Sequence, residues 1–210
     1  LHCQLLQRGF QYAAGFKLPC KWLVKTETMA PDFGIEALGS LFIKPCEIRS
    51  DKDQLLAAFR AGASRDGKRL GLVLHVADSL LKTDEQSPWN GSCIELFFTV
   101  EGKPCITQFF ILPETQKLPA CILRVADTAS GRTAKSDARI KLMTKTFDGG
   151  YDAFVLLPVD VLGAKSASSL AFELGVTAGQ DKVFERGRLF GNTRAHECAS
   201  GFGSFYLDAH

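Results

Sequence analysis

A tryptophan and a glutamate six positions apart, Trp89 and Glu95, form a pair that could recognise a ligand in this 210-residue chain. Trp89 lies in the turn sequence Pro88-Trp89-Asn90-Gly91, where a solvated backbone keeps the indole near the surface. An exposed aromatic plate beside a carboxylate suits a polyhydroxylated ring, because a sugar stacks its apolar face on the indole while the acid accepts hydrogen bonds from hydroxyls. The alternative is that Trp89 caps the end of the fold as ordinary core.

The segment that carries Glu95 has the pattern of a half-buried β-strand. It is the run CIELFFTV, residues 93–100, in which apolar residues recur at every second position. The core-facing residues are Ile94, Leu96, Phe98 and Val100. Successive side chains of a strand point to opposite faces, so Glu95 is predicted to point away from the core.

A loop near the C-terminus offers further hydrogen-bond donors. Arg186, Arg188 and Asn192 lie in or beside the segment GRLFGN and could grip the hydroxyls of a sugar. For Arg186 and Asn192 the alternative is an ordinary solvated polar loop. Gln108 shares the register of its apolar neighbours on the next strand, and we therefore predict that it faces inward.

Eight runs of alternating hydrophobicity indicate an all-β chain. They are KRLGLVLHVAD, CIELFFTV, CITQFFIL, ACILRVAD, ARIKLMTKT, YDAFVLLP, LAFELGVTA and FGSFYLD. Turn sequences such as Arg65-Asp66-Gly67-Lys68 and Asp148-Gly149-Gly150 separate neighbouring runs, and the second of these is a two-residue hairpin signal. The helical signal is thin, and PVDVLGA reads as one short turn between Pro158 and Gly163. Many short strands joined by regular turns predict an antiparallel β-sandwich or barrel.

Length and composition suit one large domain. The chain is 46% hydrophobic and can bury a full core. We assign residues 35–210 to the sandwich. Residues 1–34 show no clean period apart from the strand-like segment KWLVKTE, and we interpret them as an N-terminal extension or the tail of a preceding domain.

Charge and cysteine usage argue against several classes of function. The 25 basic and 23 acidic side chains are mixed along the chain, so there is no basic patch for nucleic acid. No apolar run reaches the roughly 18 residues that insert across a membrane, and the first residues show neither a charged leader nor a signal-peptide cleavage site. The seven cysteines lack the Cys-x-x-Cys spacing of zinc sites, and we interpret them as buried thiols in preference to disulfides.

The order of these segments resembles the family-nine carbohydrate-binding modules and the wider DOMON-like β-sandwiches. The matching segments are GLVLHVAD, PWNGSCIELFF, GGYDAFVLLPVDVLG, LAFELGVTAGQD, GRLFGN and GFGSFYL. In those modules a strand ending in Asp leads to a Trp-x-Gly-Asp-x-Val-Glu-Phe-like segment, and a Phe-Gly-x-Leu-x-Leu strand closes the domain. The resemblance implies a jelly-roll-like antiparallel sandwich and an extracellular or periplasmic location.

The resemblance also implies roles for single residues. Trp89 is then one wall of a sugar slot and Glu95 bonds a sugar hydroxyl, while Phe190 stands where the family has a second tryptophan. Ser92 and Thr99 stand where the family has aspartates. We therefore predict no resident cofactor, with calcium as an alternative that lacks both of these carboxylates.

Two other chemistries remain as alternatives. Glycoside hydrolysis needs two carboxyl groups about 5 to 9.5 Å apart, and Glu95 with Glu173 is the pair that the strand pattern offers. The haem-carrying branch of the DOMON-like sandwiches holds its iron with a methionine and a histidine, for which Met143 and His75 are the candidates.

The sequence predicts non-catalytic binding of an oligosaccharide or polysaccharide. The ligand is predicted to stack on Trp89 and Phe190 and to bond with Glu95, Arg188 and Asn192. The chain is then either a module attached to the catalytic domain of a glycan-degrading enzyme or a separate partner to such an enzyme. The alternative is a structural or protein-interaction sandwich domain of a larger secreted enzyme, which the departures from the family pattern favour.

Overall fold

The computed structural model describes residues 23–100, 105–125, 137–180 and 182–207. The strands in these ranges are β1 (Leu23–Met29), β2 (Cys46–Arg49), β3 (Leu55–Ser64), β4 (Arg69–Ala77), β5 (Cys93–Val100), β6 (Thr107–Leu112), β7 (Cys121–Val125), β8 (Lys141–Phe147), β9 (Gly150–Pro158), β10 (Leu170–Gln180), β11 (Val183–Arg188) and β12 (Gly203–Leu207). The helical elements in the same ranges are short 3-10 segments at Ile35–Ser40, Pro88–Asn90, Val159–Leu162 and Ala167–Ser169. No helix within the described part of the chain is long and apolar enough to cross a bilayer.

The strands form two sheets that share β1. The front sheet has the order β7-β6-β5-β10-β12, with β11 also paired to β10, and the back sheet has the order β3-β4-β9-β8, with β2 paired to β3. β1 runs parallel to β12 through Leu23–Thr26 and parallel to β3 through Glu27–Met29. The other strand pairings in the described ranges are antiparallel. The predicted all-β sandwich is confirmed, with β1 as the parallel seam between its sheets.

The position of β1 corrects the predicted domain boundary. Residues 23–34 were assigned to the extension, yet they include β1, which pairs with strands of both sheets. The 3-10 turn Ile35–Ser40 then packs on the outer face of the back sheet, through Leu38. The sandwich therefore includes residues before 35. Residues 1–22 lie outside the described ranges, so the predicted extension remains a prediction.

The structure confirms two turns that were predicted from the sequence. The β8–β9 hairpin turns at Asp148-Gly149, and Gly149 has a φ of 86°, a left-handed conformation that glycine adopts without a Cβ clash. The turn after β9 covers Val159–Leu162 and ends at Gly163, whose φ is 71°. Both segments are confirmed.

The main core lies between the two sheets. Phe98, Phe172 and Phe205 meet there, with the last two stacked at a centroid distance of 3.9 Å. Ile94, Leu96 and Phe98 of β5 are almost fully buried in this core, and Val100 packs against it. The alternation read from the sequence therefore assigns the inward face of β5 correctly.

The outer face of the front sheet also carries apolar clusters. One contains Phe97, Ile106, Ala195 and Phe202. The other contains Cys93, Phe110 and Leu112, with Trp89, Leu118, Cys121 and Leu123 packed against it. Loop residues on either side of the strands thus fold back over this face. Glu95 lies on the same outer face, beside Phe110 of the second cluster and Phe97 of the first.

Candidate functional site

The candidate site is built along one row of residues that crosses the front sheet. In the strand register Arg188 of β11 is opposite Gly175 of β10, Gly175 is opposite Glu95 of β5, and Glu95 is opposite Phe110 of β6. Residues directly opposite one another on a shared face are close enough to interact. The row therefore brings an arginine, a carboxylate and an aromatic ring into sequence on the outer face.

Glu95 is the centre of a hydrogen-bonded trio. Its Oε1 accepts a bond of 3.1 Å from Arg188 Nη2, and its Oε2 accepts a bond of 3.1 Å from Gln108 Nε2. The side chains of Arg188 and Glu95 are 17% and 7% exposed, and the guanidinium lies over the Phe97 ring, 4.9 Å from its centroid. Charges this well removed from water must be paired, which explains why the trio forms.

These contacts refine the prediction for Glu95. It points away from the main core, as the alternation predicts, but the neighbouring loops and Arg188 cover it. The carboxylate is therefore recessed rather than fully solvated. Each of its oxygens retains a further lone pair for a hydroxyl donor.

Gln108 was predicted to face inward, and this prediction was wrong. The inward residues of β6 are Phe109 and Ile111, whereas Gln108 bonds Glu95 on the outer face. Its neighbours Ile106 and Phe110 also face outward, beneath the covering loops. Because β6 carries apolar side chains on both faces, the alternation of its sequence does not show which face points to the main core.

Trp89 combines the two roles considered for it. It lies in the 3-10 turn Pro88–Asn90, packs against Phe110 at a centroid distance of 6.0 Å and stays partly exposed. Arg186 Nη2 donates a 2.6 Å bond to the Trp89 carbonyl, so this arginine fixes the turn to β11 rather than acting only as a solvated side chain. Because Phe110 is opposite Glu95, the indole is placed at one end of the polar trio.

The loop that carries Trp89 is fixed at both ends. Asp78 Oδ1 accepts backbone bonds from Leu80, Leu81 and Gly179, which anchors the start of the loop to β10. Ser92 closes its end, because its N–H donates to the Lys82 carbonyl and its Oγ accepts from the Lys82 N–H. Ser92 thus has a structural role at the position where the family pattern has an aspartate.

Phe190 does not join the trio. Its ring makes an edge contact with Phe172 at 5.3 Å and packs against the main core, whereas Trp89 belongs to the outer cluster. After β11 ends, Leu189 also packs against the main core and Phe190 donates its N–H to Glu173. This geometry does not support the predicted second wall of a sugar slot at Phe190.

Asn192 braces its own loop. Its side-chain amide donates bonds of 2.8 Å to the carbonyls of Cys198 and Ser200, and its Oδ1 accepts from the Arg194 N–H at 2.9 Å. Both amide protons are therefore used within the loop. The structure does not support the predicted contact of Asn192 with a sugar.

Glu173 holds the same loop from below. It is completely buried, its Oε1 accepts bonds from the N–H groups of Leu174 and Phe190, and its Oε2 accepts from the Asn192 N–H. Burial raises the pKa of Glu173, while these three N–H groups and the charge of Arg188 oppose the rise. A buried carboxylate committed to three backbone donors cannot reach a substrate. The Glu95 and Glu173 pair is therefore unsuited to glycoside hydrolysis.

The haem alternative is not supported by the two residues it needs. His75 faces outward as predicted, but its Nδ1 lies 2.7 Å from Asp152 Oδ1 and its ring stacks on Phe147. Met143 packs in the apolar cluster beneath the 3-10 turn Ile35–Ser40. Across the described ranges, no three or more His, Cys, Asp or Glu side chains group in a way that could hold a metal ion.

The cysteines of the described ranges are Cys46, Cys93, Cys105, Cys121 and Cys198, of which Cys93, Cys121 and Cys198 are free thiols. Cys93 is buried as predicted, whereas Cys105 and Cys198 are exposed. The remaining two, Cys3 and Cys20, lie outside the described ranges.

By sequence, the chain matches no protein-family model and no curated protein. By structure, it is similar to a family-nine carbohydrate-binding module from Caldicellulosiruptor kristjanssonii in complex with glucose, with a TM-score of 0.60 and 17% identity over 90% of this chain and 96% of that one. The chain has the fold of the family-nine carbohydrate-binding modules.

Two further solved structures agree. The C. kristjanssonii module in complex with cellotriose gives a TM-score of 0.60 at 16% identity, covering 90% of this chain and 93% of that one. A candidate carbohydrate-binding protein from Bacteroides uniformis ATCC 8492 gives 0.60 at 16% identity, covering 89% and 99%. The resemblance read from the sequence is thus confirmed at the level of the fold.

Proposed function

We propose that this chain binds carbohydrate without catalysis on the outer face of its front sheet. The observation that carries the proposal is the recessed trio of Arg188, Glu95 and Gln108, which lies next to Phe110 and the partly exposed Trp89 that packs on it. The fold supports it, because the chain shares the fold of modules that hold glucose and cellotriose. A sugar ring stacks on Trp89 while its hydroxyls bond the trio.

The chemistry of the trio suits a neutral polyol. The Glu95 carboxylate accepts from hydroxyls, whereas Gln108 and Arg188 offer donors, so a hydroxyl group can act as donor and acceptor at once. Stacking of a ring on an aromatic side chain contributes about 1–3 kcal/mol. One stacking wall with two or three polar contacts corresponds to dissociation constants between about 1 µM and 1 mM.

The wider context of the site follows from the same proposal. The ligand is an oligosaccharide or polysaccharide, and the chain acts as a module of, or partner to, a glycan-degrading enzyme outside the cytoplasm. The second candidate function is a structural or protein-interaction domain of a larger secreted enzyme. The packing of Phe190 against the main core favours this second candidate, because Phe190 then does not form the second wall that the resemblance implies.

Titration calorimetry against a panel of oligosaccharides that includes glucose and cellotriose tests the proposal. We expect saturable binding, and we expect Trp89→Ala to weaken it about 10- to 100-fold, which is the loss of the stacking energy. Phe42→Ala is the matched control, because this aromatic side chain is 89% exposed and lies outside the site.

The outcomes separate the two candidate functions. Absence of binding to every glycan would favour the interaction domain. Binding that survives Trp89→Ala unchanged would move the site elsewhere on the molecule. Thermal melting of each variant shows whether it is folded.

A further inference from the structure

Arg188 can reach Glu95 only by crossing a whole strand. β11 and β5 both pair with β10, on opposite sides, and neighbouring strands lie about 4.8 Å apart, so the two backbones are separated by about 9.6 Å. The residue of β10 that stands between them in the register is Gly175. The Arg188 side chain must therefore pass over Gly175 to make its bond with Glu95.

The space above Gly175 is filled by the arginine itself. A Cβ added to Gly175 would lie 1.8 Å from Arg188 Nη1, 2.7 Å from its Cζ and 3.1 Å from its Cδ. Nη1 is buried and has no hydrogen-bond partner among the residues that the structure describes, and the guanidinium is packed over Phe97. The arginine thus lies directly on bare backbone, with no room for even a methyl group beneath it.

We propose that Gly175 is a positioning residue of the candidate site, because its missing side chain lets Arg188 cross β10 and pair with Glu95. Any effect on sugar binding rests on the proposed function, whereas the positioning of Arg188 does not. Alanine at this position would push the flexible end of Arg188 away from the sheet. Among the described residues, Glu95 would then keep only Gln108 as a side-chain partner.

The proposal differs from an ordinary structural role for glycine. Gly175 is not among the glycines of the described ranges that have positive φ, so alanine fits the backbone itself. Added methyl groups at Gly62 and Gly71 would meet Met29 and Leu38, which pack in the outer cluster of the back sheet. At Gly175 the obstacle is instead a charged side chain that belongs to the candidate site.

The test compares Gly175→Ala, Arg188→Met and the double variant with the wild-type chain. Guanidinium NMR of arginine-labelled protein reports on Arg188 without any ligand. The signal that disappears in Arg188→Met is assigned to Arg188. We expect a slowly exchanging, rotationally hindered Arg188 signal in the wild type and its loss in Gly175→Ala. Gly39→Ala is the control, because a Cβ there would meet no atom within 4 Å.

Calorimetry supplies the second readout. We expect Gly175→Ala to weaken sugar binding at least tenfold, which is as much as the effect of Arg188→Met. We expect the double variant to bind sugar no more weakly than Arg188→Met alone. An Arg188 signal that is unchanged in Gly175→Ala would overturn the proposal, and so would a double variant that loses a further tenfold.

The test still decides if the wild type binds no sugar or if Gly175→Ala does not fold. If the wild type binds no sugar, the proposed function fails while the NMR comparison still decides the role of Gly175. If Gly175→Ala does not fold, the double variant decides, because it removes the guanidinium that the methyl group would meet. Recovery of folding in the double variant supports the proposal, and failure of both variants to fold contradicts it.

Discussion

Glu95→Ala is expected to lower the free energy of unfolding by about 3–5 kcal/mol, the cost of breaking a buried ion pair from one side. The substitution leaves the largely buried Arg188 guanidinium without its carboxylate partner. It also removes the oxygen that accepts the hydrogen bond of Gln108. We expect sugar binding to be lost as well. Urea denaturation followed by circular dichroism measures the change in stability.

An exposed ion pair supplies the matched control. Glu47 and Arg49 bond at 2.9 Å with side chains 48% and 43% exposed, so Glu47→Ala should cost less than about 1 kcal/mol. The double variant Glu95→Gln with Arg188→Met removes both charges together and should recover much of the stability lost in Glu95→Ala. A cost for Glu95→Ala as small as that of Glu47→Ala would contradict the buried pair.

Glu173→Ala is expected to lower the free energy of unfolding by about 2–4 kcal/mol, because it strands three backbone donors that now share one carboxylate. The donors belong to Leu174, Phe190 and Asn192. The loss is smaller than for Glu95→Ala, since removal of the carboxylate also relieves the cost of its burial. The loop after β11 should loosen, which limited proteolysis near Arg194 would detect.

Acidification provides a test of Glu173 with a defined sign. Burial raises the pKa of Glu173 above the ordinary value of 4.5. An acid with a raised folded-state pKa contributes stability that is fully present below its unfolded pKa and is lost as the pH rises through its folded pKa. The free energy of unfolding of the wild type, relative to that of Glu173→Gln, should therefore increase as the pH is lowered from about 7 to about 4. A difference that is constant or decreases over this range would contradict the buried carboxylate.

The parts of the fold that follow a local period could be predicted from the sequence. The alternation of CIELFFTV identifies the core face of β5 and sends Glu95 to the other face. The position of Trp89 close to β5 could also be predicted, because only three residues separate it from the start of that strand. Local period and turn chemistry determine these features, so no knowledge of distant contacts is needed.

The remaining parts of the site depend on contacts between distant segments. Gln108 was misplaced because covering loops allow apolar residues on both faces of β6. Phe190 was misplaced because the chain turns toward the main core directly after β11. The role of Gly175 requires the register of three strands at once, which no local pattern of the sequence contains.

The central claim is that a sugar stacks on the Trp89 indole, and its fluorescence tests this most directly. The chain has two tryptophans, so a Trp22→Phe variant leaves Trp89 as the sole reporter. Titration with glucose or cellotriose is predicted to change the Trp89 emission saturably, with the same midpoint as calorimetry. Emission that stays constant while calorimetry shows saturation, or that stays constant because no sugar binds, would contradict the account.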